Sequence, residues 1–132
     1  MQPDKFTSAV SSLIADAQNI ATDNSNNYVE PVHILLALSR QEKDAFGALL
    51  IQSGGDFQAL KSVLEKHLTE LPQIGHIDGN VKLSKDSAQL INLAEKYSRD
   101  HKDSFLSTND VRDISLLKYS NIGSHGKSHL NF

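Results

Sequence analysis

The sequence predicts an all-α domain made of two tandem pseudo-repeats of a four-helix motif, the second repeat incomplete. Three observations carry this. Apolar residues recur at three- and four-residue spacing over most of the chain, the mark of amphipathic helices. A helix starting near Thr7 matches one starting near Ser84 at a constant offset of 77. No stretch alternates over a strand's length between turn signals, the short 113–119 apart.

The elements follow in order. Thr7 can N-cap a helix in which Val10, Leu13, Ile14, Ala17 and Ile20 keep helical spacing to about Thr22. The polar residues 23–27 form a loop. Pro31 suits the first turn of a second helix running to about Ser39, with Ile34, Leu35, Ala37 and Leu38. Residues 44–52, with Phe46, Leu49 and Leu50, make a third helix, ended by Gly54 and Gly55. Asp56 opens a fourth, with Phe57, Leu60, Val63, Leu64, His67 and Leu68 on one stripe, and Pro72 limits it. LPQIGHIDGNVKL, at 71–83, reads as a linker. Ser84 then caps a helix carrying Ala88, Leu90, Ile91, Leu93, Ala94 and Tyr97.

The register of the repeat extends past the helix. Leu13 pairs with Leu90, Ile14 with Ile91, Ala17 with Ala94 and Ile20 with Tyr97. Tyr28 and Val29 pair with Phe105 and Leu106, and Pro31 with Thr108. A register held through helix, loop and cap is the signature of duplication. It then decays: Leu35 and Leu36 stand opposite Arg112 and Asp113, and His33 opposite Asp110. The chain is expected to be a single domain, with repeat one at about 1–71, a linker at about 72–82, repeat two at about 83–120 and a divergent tail at 121–132.

The composition narrows the function. With 132 residues, 39% hydrophobic and 22% charged, the chain reads as one soluble globular domain. A net charge of −3 argues against a nucleic-acid or anionic-membrane surface. The absence of cysteine excludes disulfides, thiolate zinc sites and cysteine nucleophiles. The opening MQPDKFTSAV lacks a signal peptide's basic and apolar regions, and the longest apolar run, 34–38, is too short to span a bilayer; a cytoplasmic protein is expected.

Several stretches together resemble the N-terminal domain of ClpB-type protein disaggregases, the Clp N domain. They are DKFT (4–7), ADAQ (15–18), YVEPVHILLAL (28–38), LPQ (71–73), VKLSKD (81–86) and DSFLST (103–108). The likeness covers roughly residues 1–117. It implies a fold of two pseudo-repeats of four helices each. It also implies a mobile module that captures unfolded or aggregated polypeptide in a shallow apolar groove near the repeat junction. Related N domains dock adaptor proteins, so an adaptor or the ATPase rings of a Clp assembly are implied partners. The resemblance implies binding rather than catalysis, with no cofactor, because ATP hydrolysis in the family belongs to ring modules.

Carried over by position, Thr7 and Asp103 match polar residues associated with substrate handling, and Leu93 matches an apolar groove position. Tyr97 stands where the family usually has an aliphatic residue. Asn109 replaces a usual acidic residue, and Asp110 a usual apolar residue or His. Each has a plainer reading beside this one. Thr7 is an N-cap, and Asp103 a solvated loop carboxylate. Leu93 and Tyr97, four apart on one helix, could be core as well as groove. Leu93 stands opposite the polar Asp16 in the repeat, which favours exposure.

Other patterns carry less. His33, inside an apolar helix, reads as a partly buried histidine satisfied by a backbone carbonyl rather than as a metal ligand. His125 and His129 have helical ligand spacing, but Gly123 and Gly126 make a poor helix and no third ligand is evident, so no metal site is expected. NIGSHGKS (121–128) matches the second half of a phosphate-binding loop. It lacks the first glycine and falls opposite residues 44–51, so it reads as a divergent repeat end. A second half without the third and fourth helices forgoes several buried side chains, each worth about 1.5–3 kcal/mol. Cover by the tail or by self-association is therefore expected.

Overall fold

The computed structural model describes residues 7–41, 48, 51, 56–74, 81–100 and 111. In chain order they form α1 (Ser8–Asp23), β1 (Tyr28–Val29), α2 (Pro31–Gln41), α3 (Phe57–Glu70), β2 (Lys82–Leu83) and α4 (Lys85–Asp100). The helical prediction holds. Of the expected third helix only Ala48 and Ile51 are described, both helical, and of the second half's next helix only Val111, helical and buried. The rest of those two segments, and the tail, lie outside the described residues.

The helices start where local chemistry tells them to. Thr7 adopts an extended backbone and its Oγ1 accepts the Val10 N–H at 3.3 Å. Asp56 does the same for α3 through the Gln58 N–H at 3.0 Å. Ser84 caps α4 through the Ser87 N–H at 3.1 Å. Each cap satisfies one amide that the first helical turn leaves without a partner. Pro31 opens α2 because a helix's first residue needs no N–H donor.

α2 is the axis of the fold. Pro31 to Ser39 are all buried, because α1, α3 and α4 each pack against this helix. A helix enclosed on every side loses the polar face of a surface helix, which is why VHILLAL runs apolar with one histidine. Ser39 meets the enclosure by donating its hydroxyl to the Leu36 carbonyl at 2.8 Å.

α1 and α4 are the two copies of one element. Both span 16 residues, and their ends coincide at the offset of 77. Val10, Leu13, Ala17 and Ala21 are buried in α1, as are their counterparts Ser87, Leu90, Ala94 and Ser98 in α4. The same face is thus turned inward in both halves.

No pattern in the chain announces the two strands. β1 and β2 pair in parallel, Tyr28 with Lys82 and Val29 with Leu83. Strands of two residues are too short for alternation to register as a pattern. Their effect is to tie the halves: the Val29 carbonyl accepts the Ser84 N–H at 3.0 Å and the Ser87 hydroxyl at 2.5 Å. Gln18 of α1 adds a bond to the Val81 carbonyl at 3.0 Å. Val81 is buried and Lys82 lies in β2, so the linker-like stretch ends inside the fold.

Candidate functional site

The polar residues of the first half are organised around His33. His33 is three residues after Glu30, and its Nδ1 accepts the Glu30 N–H at 2.7 Å, as an acidic or amide side chain does in a capping box. With Nδ1 an acceptor, Nε2 carries the proton and donates to Asn26 Oδ1 at 2.9 Å. The histidine's partners are therefore a backbone N–H and an amide side chain, not the backbone carbonyl expected from the sequence. Burial, and secondarily the like charge of His67, pull its pKa from 6.5 down to about 4.

Asn26 carries this arrangement outward. Its Oδ1 also accepts from Asn24 Nδ2 at 2.8 Å, and its own Nδ2 donates to the Pro72 carbonyl at 3.0 Å. Asn24 Nδ2 further reaches the Leu68 carbonyl at 3.0 Å, and the Ile74 N–H bonds the Ser25 carbonyl at 2.7 Å. The loop after α1 is thereby stitched to the end of α3. Sequence reasoning read 23–27 only as a polar loop. The available signal was the repeat register, in which Asn26 stands opposite Asp103.

Of the six residues singled out in the sequence, three lie in the described part. Thr7 is half-buried at the start of α1, its hydroxyl oxygen engaged in capping. Leu93 is 37% exposed on α4, although Leu90, Ile91 and Ala94 beside it are buried. Tyr97 is half-buried and already holds an interaction of its own. α1 and α4 both rest on α2, so Thr7 and Leu93 belong to helices with a common neighbour. Asp103, Asn109 and Asp110 lie outside the described residues.

Leu93 stands among polar exposed residues, with Gln89, Asn92 and Lys96 around it on α4. A separate cleft of about 450 Å³ opens between α2 and α3, lined by Leu36, Arg40, Lys61, Glu65 and Leu68 together with Ser39 and Thr69. Among the described residues, no group of three or more His, Cys, Asp or Glu side chains could hold a metal ion, and no helix is long and apolar enough to cross a membrane.

A duplicated α1 and α4 on a shared α2, joined by a parallel two-residue pair, is a specific arrangement that comparison with known proteins can test. The sequence model of the Clp repeat (R) N-terminal domain matches residues 5–111. The chain belongs to the Clp N-terminal domain family. Among its relatives is the chaperone protein ClpB of Pseudomonas putida, 35% identical over 123 residues, which are 93% of this chain and 14% of that protein. ClpB of Vibrio cholerae is 35% identical over 108 residues, covering 82% of this chain and 13% of that protein. The chain thus spans about one seventh of the length of the curated ClpB relatives it matches.

Solved structures agree on the Clp N fold. The Hsp104 N-terminal domain from Candida albicans superposes with a TM-score of 0.74 at 20% identity, covering 85% of this chain and 73% of that one. The N-terminal domain of ClpD from Arabidopsis thaliana gives 0.64 at 17% identity, covering 94% and 92%.

Proposed function

We propose that this Clp N domain is a protein-binding module that captures unfolded or aggregated polypeptide through an apolar surface at Leu93 and Tyr97, near the junction of the repeats. The observation that carries the reading is the exposure of Leu93. Among the described residues it is the one large apolar side chain left open on α4, at a repeat position where α1 has the polar Asp16. More than a third of this leucine is open at a position where the first half carries a carboxylate, and that open part can meet an apolar partner. Membership of the Clp N family and ClpB relatives support a chaperone role for that contact. The module works by binding, without catalysis or cofactor, in the cytoplasm.

Titration of the chain with fluorescently labelled, reduced α-lactalbumin tests this. Binding is expected, weakened several-fold by Leu93→Ala and by Tyr97→Ala. No binding at high micromolar protein, together with a stable dimer in light scattering, would instead make the chain a self-associating structural module.

A further inference from the structure

The cleft between α2 and α3 lies apart from Leu93, and its lining has a definite chemistry. Its floor is apolar, formed by Leu36 and Leu68. Its two walls carry charge: Arg40 from the last turn of α2, and Lys61 and Glu65 from α3. All three charged side chains are exposed, and none of them forms an ion pair with the described residues. Among the described lining residues, the cleft of a chain with net charge −3 thus carries two cations, one from each helix, against one carboxylate.

The hydroxyls complete the picture. Ser39 donates its proton to the Leu36 carbonyl at 2.8 Å, and Thr69 donates its own to the Lys66 carbonyl at 2.7 Å. Ser39 is buried, whereas Thr69 is exposed; with its proton committed, the Thr69 oxygen offers the cleft lone pairs, which suit an amide N–H. The volume of about 450 Å³ falls within the roughly 300–1,000 Å³ usual for ligand clefts.

We propose that this cleft docks an acidic, apolar segment of a partner polypeptide. A carboxylate of the segment sits between Arg40 and Lys61, where charge-assisted hydrogen bonds are strongest. A neighbouring apolar side chain packs over Leu68, and a backbone N–H reaches Thr69. The charge complementarity is what selects this occupant: a purely apolar segment would leave both cations idle, and a basic one would be repelled. The surface rests on the protein-binding reading only in taking a polypeptide, and it does not use Leu93.

The test is fluorescence anisotropy on the full chain with a labelled 15-residue peptide alternating Leu and Glu, and its twin with Gln for Glu. At low salt the acidic peptide is expected to bind at least about tenfold more tightly than the twin, with the difference shrinking as salt screens the charges. The double variant Arg40→Gln with Lys61→Gln should abolish the preference, and Glu65→Gln should enhance it. These side chains are exposed, and an unchanged melting temperature verifies that the variants fold. Equal affinity for the two peptides, no binding of either, or a preference that survives in the double variant would overturn the proposal. If the acidic peptide fails while reduced α-lactalbumin still binds in a Leu93-dependent way, only the cleft falls; failure of both removes the protein-binding reading as well.

Discussion

The hydroxyl of Ser87 donates to the carbonyl of Val29, 2.5 Å away and 58 residues earlier in the chain. In the repeat, Ser87 stands where the first half has Val10, and both are fully buried. A serine fits that apolar slot because its donor reaches an acceptor that belongs to the other half. Replacing Ser87 with Ala is expected to lower stability by about 1 kcal/mol, since the Val29 carbonyl keeps its bond from the Ser84 N–H. Urea denaturation measures it; a change near zero would mean that this bond does not help hold the halves together.

His33 makes stability depend on pH. Its folded pKa of about 4 lies below the unfolded 6.5, so between those values the unfolded chain binds a proton that the folded chain refuses. The stabilising contribution of the neutral ring is complete above about pH 6.5, falls as pH drops, and is lost by about pH 4. Between pH 7.5 and pH 5 the loss is about 2 kcal/mol, at about 1.4 kcal/mol per unit. The comparison is between wild type and His33→Gln in urea at both pH values. The variant should show a smaller drop by that amount, and equal drops would remove His33 as the cause.

Asn26 to Asp separates the two roles of that side chain. A carboxylate in place of Oδ1 still accepts from His33 Nε2, and its charge favours the imidazolium, so the His33 pKa should rise well above about 4. The same change removes the donor to the Pro72 carbonyl and should cost about 1–3 kcal/mol at pH 7. Ring-proton NMR titration reads the first effect and thermal unfolding the second. A His33 pKa that stays low would show that the two side chains do not communicate as their 2.9 Å separation implies.

Leu90 and Leu93, three apart on α4, should respond in opposite ways. Leu90 is fully buried, and Leu90→Ala is expected to cost about 2–5 kcal/mol. Leu93→Ala should cost less, about 1 kcal/mol, because more than a third of the side chain is exposed, while weakening capture of an unfolded polypeptide. A large stability loss at Leu93 would return it to the core and leave the proposed surface without its main residue.

Much of this was legible in the sequence because it is local or periodic. The caps at Thr7, Asp56 and Ser84 announce themselves by residue type beside an apolar stripe, and the offset of 77 correctly paired Leu13 with Leu90 and Ala17 with Ala94. The Clp N resemblance, carried by YVEPVHILLAL and its neighbours, pointed to the family that residues 5–111 match. The candidate site was less legible. Leu93 and Tyr97 share a helix face by spacing, yet spacing does not tell an open face from a covered one.

The sequence by itself determined where helices begin, which of their faces are apolar and that one motif occurs twice, since these follow from near-neighbour chemistry and a 3.6-residue period. Only the tertiary structure decided that α2 is enclosed on every side, that Val29 anchors the start of α4, and that His33 is buried between the Glu30 N–H and the Asn26 side chain. Those outcomes depend on which distant groups arrive within hydrogen-bonding distance and exclude water. No period in the chain encodes that arrival; packing of the whole does.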